Sequence, residues 1–288
     1  MRNRVSLLAL TVLLSLAAGM SSRSFAGTVS PAAETTEPLA EQVNDPTASL
    51  TQVQIKDIYT PAEYGTNAQP NTLQIRPLFA IPASGLIPLN QIARPTFRMV
   101  TVPDGKGAAT TTAYDDMQFF DLFLSSWPNS RETGFRWGIG PYFIFPTATS
   151  GKNGRGAWQA GPAAAYSYRG IPGLNFAGLL QQATSFAYTS SRSVPITSLS
   201  FQPIISYQLG NGWYVKSSDA TWSFNLRHNT STTIPFSAGF GRAWKIAADY
   251  AIDTAISGEW MLYRQFSSQT EQFTVNFQAS LLLPQVEF

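Results

Sequence analysis

The feature that most constrains this chain is an alternation near its C-terminal end. Phe273, Val275, Phe277, Ala279 and Leu281 alternate with Thr274, Asn276, Gln278, Ser280 and Leu282. Successive side chains of an extended strand point to opposite faces, so this segment has one apolar face and one mostly polar face. Its length is that of a tilted strand crossing a bilayer, about 9–11 residues.

The pattern recurs upstream. Leu199, Phe201, Pro203, Ile205, Tyr207 and Leu209 alternate with Ser198, Ser200, Gln202, Ile204, Ser206 and Gln208, and Ala220, Trp222, Phe224 and Leu226 alternate with Asp219, Thr221, Ser223, Asn225 and Arg227. Trp158, Ala160, Pro162, Ala164, Tyr166 and Tyr168 form another such face. Alternation alone suits a soluble sandwich equally well, with the apolar face as its core. Composition separates the two. Charged residues are 12% of the chain, about half the usual share for a soluble domain, and aromatics reach 13%. A helical membrane protein would show apolar runs of about 20 residues, and none follows residue 26. A transmembrane barrel fits both absences. Aromatics also gather near the expected strand ends: Phe143, Phe145, Trp158, Tyr166, Tyr168, Tyr207, Trp213, Tyr214, Tyr250, Trp260 and Tyr263. Rings of this kind favour the membrane–water interface and form girdles there. The fold class is therefore all-β, an antiparallel transmembrane β-barrel.

The first residues stand apart. Arg2 and Arg4 precede an apolar run over residues 5–18, and Ser24-Phe25-Ala26 supplies a small-x-small cleavage site. Residues 1–26 read as a cleaved secretory signal peptide, with a retained membrane anchor as the alternative. Loss of Arg2, Arg4 and Arg23 leaves 16 basic against 17 acidic residues. No basic excess remains to attract nucleic acid. Residues 27–49 carry Glu34, Glu37, Glu41 and Asp45 with no basic residue, and read as a flexible acidic periplasmic tail. Residues 50–288 form the barrel. The chain has no cysteine, which excludes thiol chemistry and iron–sulfur clusters.

Strands are expected to begin near residues 51, 72, 91, 116, 135, 157, 174, 197, 213, 233, 250 and 271. Twelve strands put both termini on one side. Gly210-Asn211-Gly212 and Arg169-Gly170-Ile171-Pro172-Gly173 then fall together as tight periplasmic turns, while residues 60–71, 103–114, 147–156 and 188–195 fall outside. The count requires residues 51–59 to be a strand and residues 213–227 to be one long strand. Ten and fourteen strands are the alternatives.

Several short motifs resemble a family of bacterial outer-membrane channels of the MetA-pathway-of-phenol-degradation type, whose relatives often carry the label neuromedin U. They are Asp45-Pro46-Thr47-Ala48, Arg76-Pro77, Gly138-Ile139-Gly140-Pro141, Phe145-Pro146-Thr147-Ala148-Thr149, Trp158-Gln159-Ala160-Gly161-Pro162-Ala163, Gln202-Pro203 and Gly212-Trp213-Tyr214. Thr184 stands before Ser185-Phe186-Ala187, where the family usually has Trp. The resemblance implies an outer-membrane barrel and passive transport, and brings no catalytic or ligand residues. The terminal Phe288 resembles the signal by which the barrel assembly machinery recognises a last strand for insertion.

Enzymatic chemistry finds little purchase. The single histidine, His228, falls in an outer loop without a marked nucleophile, so a lipid-modifying barrel enzyme is only a third reading. No catalytic, cofactor-binding or metal site is expected. Gly151-Lys152-Asn153-Gly154-Arg155-Gly156 lacks the spacing of a phosphate loop and reads as a mobile external loop with two cations. Polar residues expected to face the lumen are Arg76, Arg94, Arg98, Gln159, Gln202, Arg227, Asp253 and Glu259, along with Gln74. An Arg or Lys on the lipid face at mid-membrane costs about 2–4 kcal/mol, so alternation and cost both send the arginines inward. These residues are candidates for solute selectivity in a channel for small solutes, hydrophobic or aromatic ones included. The alternative is a closed structural barrel whose outer loops bind a partner. The expected surroundings are outer-membrane lipids.

Overall fold

The alternation closes into a cylinder. The computed structural model describes residues 42–105, 107–189, 195–227, 231–246, 250–265 and 270–283. Its strands are β1 (Thr51–Tyr64), β2 (Asn71–Ile81), β3 (Asn90–Pro103), β4 (Thr110–Tyr114), β5 (Met117–Leu124), β6 (Gly134–Phe145) and β7 (Ala157–Ile171). There follow β8 (Leu174–Tyr188), β9 (Thr197–Gly210), β10 (Trp213–Ser217), β11 (Trp222–Asn225), β12 (Thr232–Lys245), β13 (Ala251–Gln265) and β14 (Thr270–Leu283).

Neighbours pair antiparallel around the sheet, and β1 pairs with β14 from Thr51–Leu283 to Tyr64–Thr270. β4 and β5 both pair with β3 and serve as one barrel strand interrupted at residues 115–116. β10 and β11 both lie between β9 and β12, as one strand interrupted at residues 218–221. The barrel thus has the twelve strands that the sequence pattern indicates. Closure removes the sheet edges at which other chains could pair.

Two-residue connections join β7 to β8 and β9 to β10 at one end, here the turn end. At the second, Asn211 (φ 52°) and Gly212 (φ 78°) take the left-handed backbone that such hairpins require. Residues 82–89 and 125–133 are longer connections at this same end, so the expected contrast of loop lengths is only partial. Residues 65–70, 104–105, 107–109 and 146–156 lie at the opposite, loop end.

The two faces of the sheet invert the pattern of a soluble protein. Outward-pointing Phe97, Trp137, Ile139, Phe236, Phe240, Ile256 and Phe277 are all exposed, Ile139 by 52%. Soluble monomers rarely expose apolar surface on this scale. Trp213, Trp244, Tyr168 and Tyr207 are exposed near the turn end; Tyr59, Trp158, Tyr188 and Tyr263 are exposed near the loop end. Tyr214 departs from the girdle expectation: it is fully buried and points inward.

Inside, one wall is apolar. Leu78, Ile92, Phe120, Leu122, Leu124, Tyr142, Ile144 and Leu179 form a buried cluster from β2 to β8. The other wall is polar, with Lys56, Lys216, Asp253, Ser257, Asn276 and Gln278 buried on β1, β10, β13 and β14. Between β2 and β3 the ladder lapses from Ile75–Phe97 to Phe79–Ala93. Pro77 and Pro95 sit in that lapse, and neither has an N–H to donate. Arg76 and Arg94 immediately precede them.

Two expectations need correction. The tail expected to be flexible through residue 49 is ordered from residue 42 onward. Val43, Asn44, Asp45, Thr47 and Ala48 are buried, because the barrel supplies partners for their polar groups. The loop at residues 151–156, expected to be mobile, is tied to neighbouring strands and loops. Asn153 Nδ2 donates to the Val100 carbonyl at 2.8 Å, and Lys152 Nζ reaches Asp104 at 2.6 Å. Residues 1–26, His228 and Phe288 lie outside the described residues.

Candidate functional site

The interior divides along the barrel axis. At the turn end, residues 42–49 are seated against β6 and β7. Asp45 Oδ1 accepts bonds from the Thr47 amide (2.7 Å) and Thr47 Oγ1 (2.8 Å), which folds the segment back on itself. Asp45 Oδ2 accepts from Ser167 Oγ at 2.7 Å and pairs with Arg169. Burial pushes the Asp45 carboxyl above its ordinary range, while Ser167 and Thr47 pull it down. Arg136 donates to the Thr47 carbonyl at 2.9 Å and to Ser49 Oγ at 3.3 Å. The Trp127 ring lies against both guanidinium groups, 5.5 Å from Arg136 and 4.8 Å from Arg169.

At mid-barrel the break between β10 and β11 turns inward. The amides of Asp219 and Ala220 donate to Ser237 Oγ at 3.1 and 3.2 Å. Gln202 Nε2 donates to the Ser218 carbonyl at 2.5 Å. Asp219 then meets Lys56 at 2.6 Å, Lys216 at 3.0 Å and Ser257 Oγ at 2.6 Å. Lys216 also donates to Gln278 Oε1 at 3.0 Å. Beside it, Asp253 accepts from Tyr214 OH at 2.7 Å and Gln278 Nε2 at 3.1 Å. A network with its donors and acceptors matched is rigid, and this one ties β1, β10, β13 and β14 together.

Toward the loop end lies a cavity of about 650 Å³. Five cations line it (Lys56, Arg76, Arg94, Arg98 and Arg155) against three acids, Asp219, Glu259 and Glu271. A smaller void of about 60 Å³, bordered by Arg76, Arg94, Asp45 and Asp219, separates it from residues 42–49.

The expected lumen residues sort into three groups. Arg76, Arg94, Arg98, Gln202 and Glu259 line the cavity, as does Gln74. Gln159 and Asp253 point inward but are sealed: Gln159 meets Arg155 at 3.4 Å, and Asp253 belongs to the Tyr214 network. Arg227 is exposed beyond the end of β11 and does not line the cavity. Lys56, Lys216 and Asp219 were not singled out from the sequence. Alternation does mark Lys56, which shares a face with Gln52 and Gln54. Asp45, Arg136 and Arg169 were likewise passed over, although Asp45 opens one of the motifs quoted above.

No family model and no curated protein matches the chain. Among solved structures it is similar to an outer membrane channel from Pseudomonas putida F1, with TM-score 0.56 and 13% identity over 81% of this chain and 96% of that one. The NanC porin follows with TM-score 0.49 and 10% identity, over 80% of this chain and 98% of its own. A FadL homologue from Pseudomonas aeruginosa has TM-score 0.36 and 10% identity, over 87% of this chain and 94% of its own. The first of these likenesses shows the barrel fold.

Proposed function

We propose that the protein is a bacterial outer-membrane channel through which small solutes diffuse passively. The observation that carries this reading is the cavity of about 650 Å³, lined by charged and polar side chains from the loop end to mid-barrel. The exposed apolar exterior with aromatic residues toward both ends supports placement in a lipid bilayer. Arg76, Arg94, Arg98, Gln202 and Glu259 are the proposed selectivity residues, since charged side chains in a confined lumen discriminate by charge. Ile58, Ile144, Leu199 and Phe224 also line the cavity and favour solutes with an apolar part, hydrophobic or aromatic ones among them. The role is non-enzymatic.

Reconstitution in planar bilayers tests the channel. Discrete conductance steps are the expected result; no steps, together with no solute flux into liposomes, would refute it. One observation favours a second reading, a closed structural barrel. Residues 42–49 fill the turn end and leave only the small void between themselves and the cavity.

A further inference from the structure

Arg94, inside the barrel, lacks the polar partners that Arg76, Arg98, Lys56 and Lys216 have. Among the described residues, no hydrogen bond or ion pair reaches the Arg94 guanidinium, and its Nε is shut away from solvent without a partner. Its Cζ lies 4.4 Å from the centre of the Phe120 ring, which covers one face and leaves the donor edge uncommitted. The aspartates nearby are engaged elsewhere, and neither Glu259 nor Glu271, which line the same cavity, pairs with Arg94 among the described residues. Asp115 holds Arg98 at 2.5 Å, Asp219 holds Lys56 and Lys216, and Asp45 holds Arg169 and Ser167. Arg76, across the lapsed stretch of ladder, hydrogen-bonds the neutral Gln54 and, among the described residues, meets no carboxylate in an ion pair. Both arginines line the cavity.

A guanidinium stays charged in a protein, and two of them side by side repel. The arrangement is relieved by an anion that takes both donor edges. Planar forks of this kind match a carboxylate, which accepts two parallel bonds from each. Next to them, Gln118 spends its oxygen on Tyr142 OH at 2.9 Å, which leaves its amide donors to the cavity. Tyr142 and Ile144 continue the lining as apolar surface.

We infer that Arg94 and Arg76 form the anion-recognition end of a binding site for a small monocarboxylate with an apolar body, seated along Tyr142 and Ile144. The inference names a solute class for the channel proposed above and rests on that reading for its transport meaning, but binding is measured without flux. Sodium benzoate and neutral benzamide are titrated calorimetrically into the full-length barrel in detergent at low salt. Benzoate should bind about tenfold or more tightly than benzamide, and inorganic phosphate should not displace it. Arg94→Gln should cost benzoate about tenfold in affinity and leave benzamide unchanged, while Arg94→Lys should fall between. Arg131→Gln, on the exposed turn-end connection away from the cavity, should leave benzoate binding unchanged. Equal binding of benzoate and benzamide, displacement by phosphate, or full affinity in Arg94→Gln would overturn the site. Should Arg94→Gln fail to fold, seen as loss of heat-modifiable gel migration, the wild-type comparison decides alone. Benzoate binding without conductance would break the channel reading and leave this site standing; conductance without benzoate binding would do the reverse.

Discussion

In the turn half of the barrel, buried acids and their donors match one for one or better. Asp45 has Arg169, Ser167 and Thr47; Asp253 has Tyr214 and Gln278; Asp219, at the boundary, has two lysines and a serine. In the loop half, cations outnumber acids along the cavity, and Arg94 makes no ion pair among the described residues. Both halves draw on similar side chains from alternating strand positions. What differs is whether each charged group is partnered. Partnered charges fix the wall, whereas an unpartnered one leaves binding capacity facing the cavity. Charge inside a barrel therefore indicates function only after its partners have been counted.

The largest effect is expected where that partnering is broken. Asp219→Ala leaves Lys56 and Lys216 buried without their shared acid. Removing one partner of a buried pair costs about 3–5 kcal/mol, read as a lower urea midpoint for loss of heat-modifiable migration. An unchanged midpoint would mean that the boundary network does not hold the wall. Next is removal of residues 42–49. The turn half should lose its filling but keep its strands, and single-channel conductance should rise by about twofold or more. Equal conductance would place the constriction elsewhere. Tyr214→Phe takes one hydroxyl from Asp253 and should cost about 1–3 kcal/mol in the same unfolding assay, without altering conductance.

The smallest effect belongs to the rim. Asp104 accepts from Lys152 and Thr111, and these bonds hold its carboxyl below the ordinary value of 3.8. The folded pKa is depressed, so the contribution is present above that value and is lost as pH falls through the lower, folded one. Limited proteolysis at residues 150–155 should quicken only at strongly acid pH, with an acid-active protease, and at any pH in Asp104→Asn. The pair is exposed, so barrel stability should barely move.

The sequence made the wall legible and left much of the filling hidden. Strand starts fall within a residue of expectation from Thr51 to Thr270, apart from the region of β4 and β5. The reason is that period-two alternation is local and lipid enforces it on every strand. The breaks at residues 115–116 and 218–221 escaped notice. Asp219 alternates with Ala220 and Trp222, and its partners Lys56 on β1, Lys216 on β10 and Ser257 on β13 turn that position inward. The burial of residues 42–49 escaped for the same reason. Their acceptors and donors lie on Arg136, Ser167 and Arg169, remote in the chain. A short polar segment does not announce a binding place that distant residues create. The arginines were easier: alternation and the lipid-face cost agreed, and Arg76, Arg94 and Arg98 do line the cavity.

The seam where β1 meets β14 sets an order on assembly. Residues 42–49 lead directly into β1, the first strand made, and β1 completes its pairing only with the last. Contacts so distant in sequence form late. Until β14 arrives, β1 keeps a row of unsatisfied N–H and C=O groups, and the leading segment has no enclosed space to occupy. The turn end therefore offers this segment no enclosed seat until β14 has paired with β1. A chain cut short before β14 would lose the wall, the filling and the cavity together.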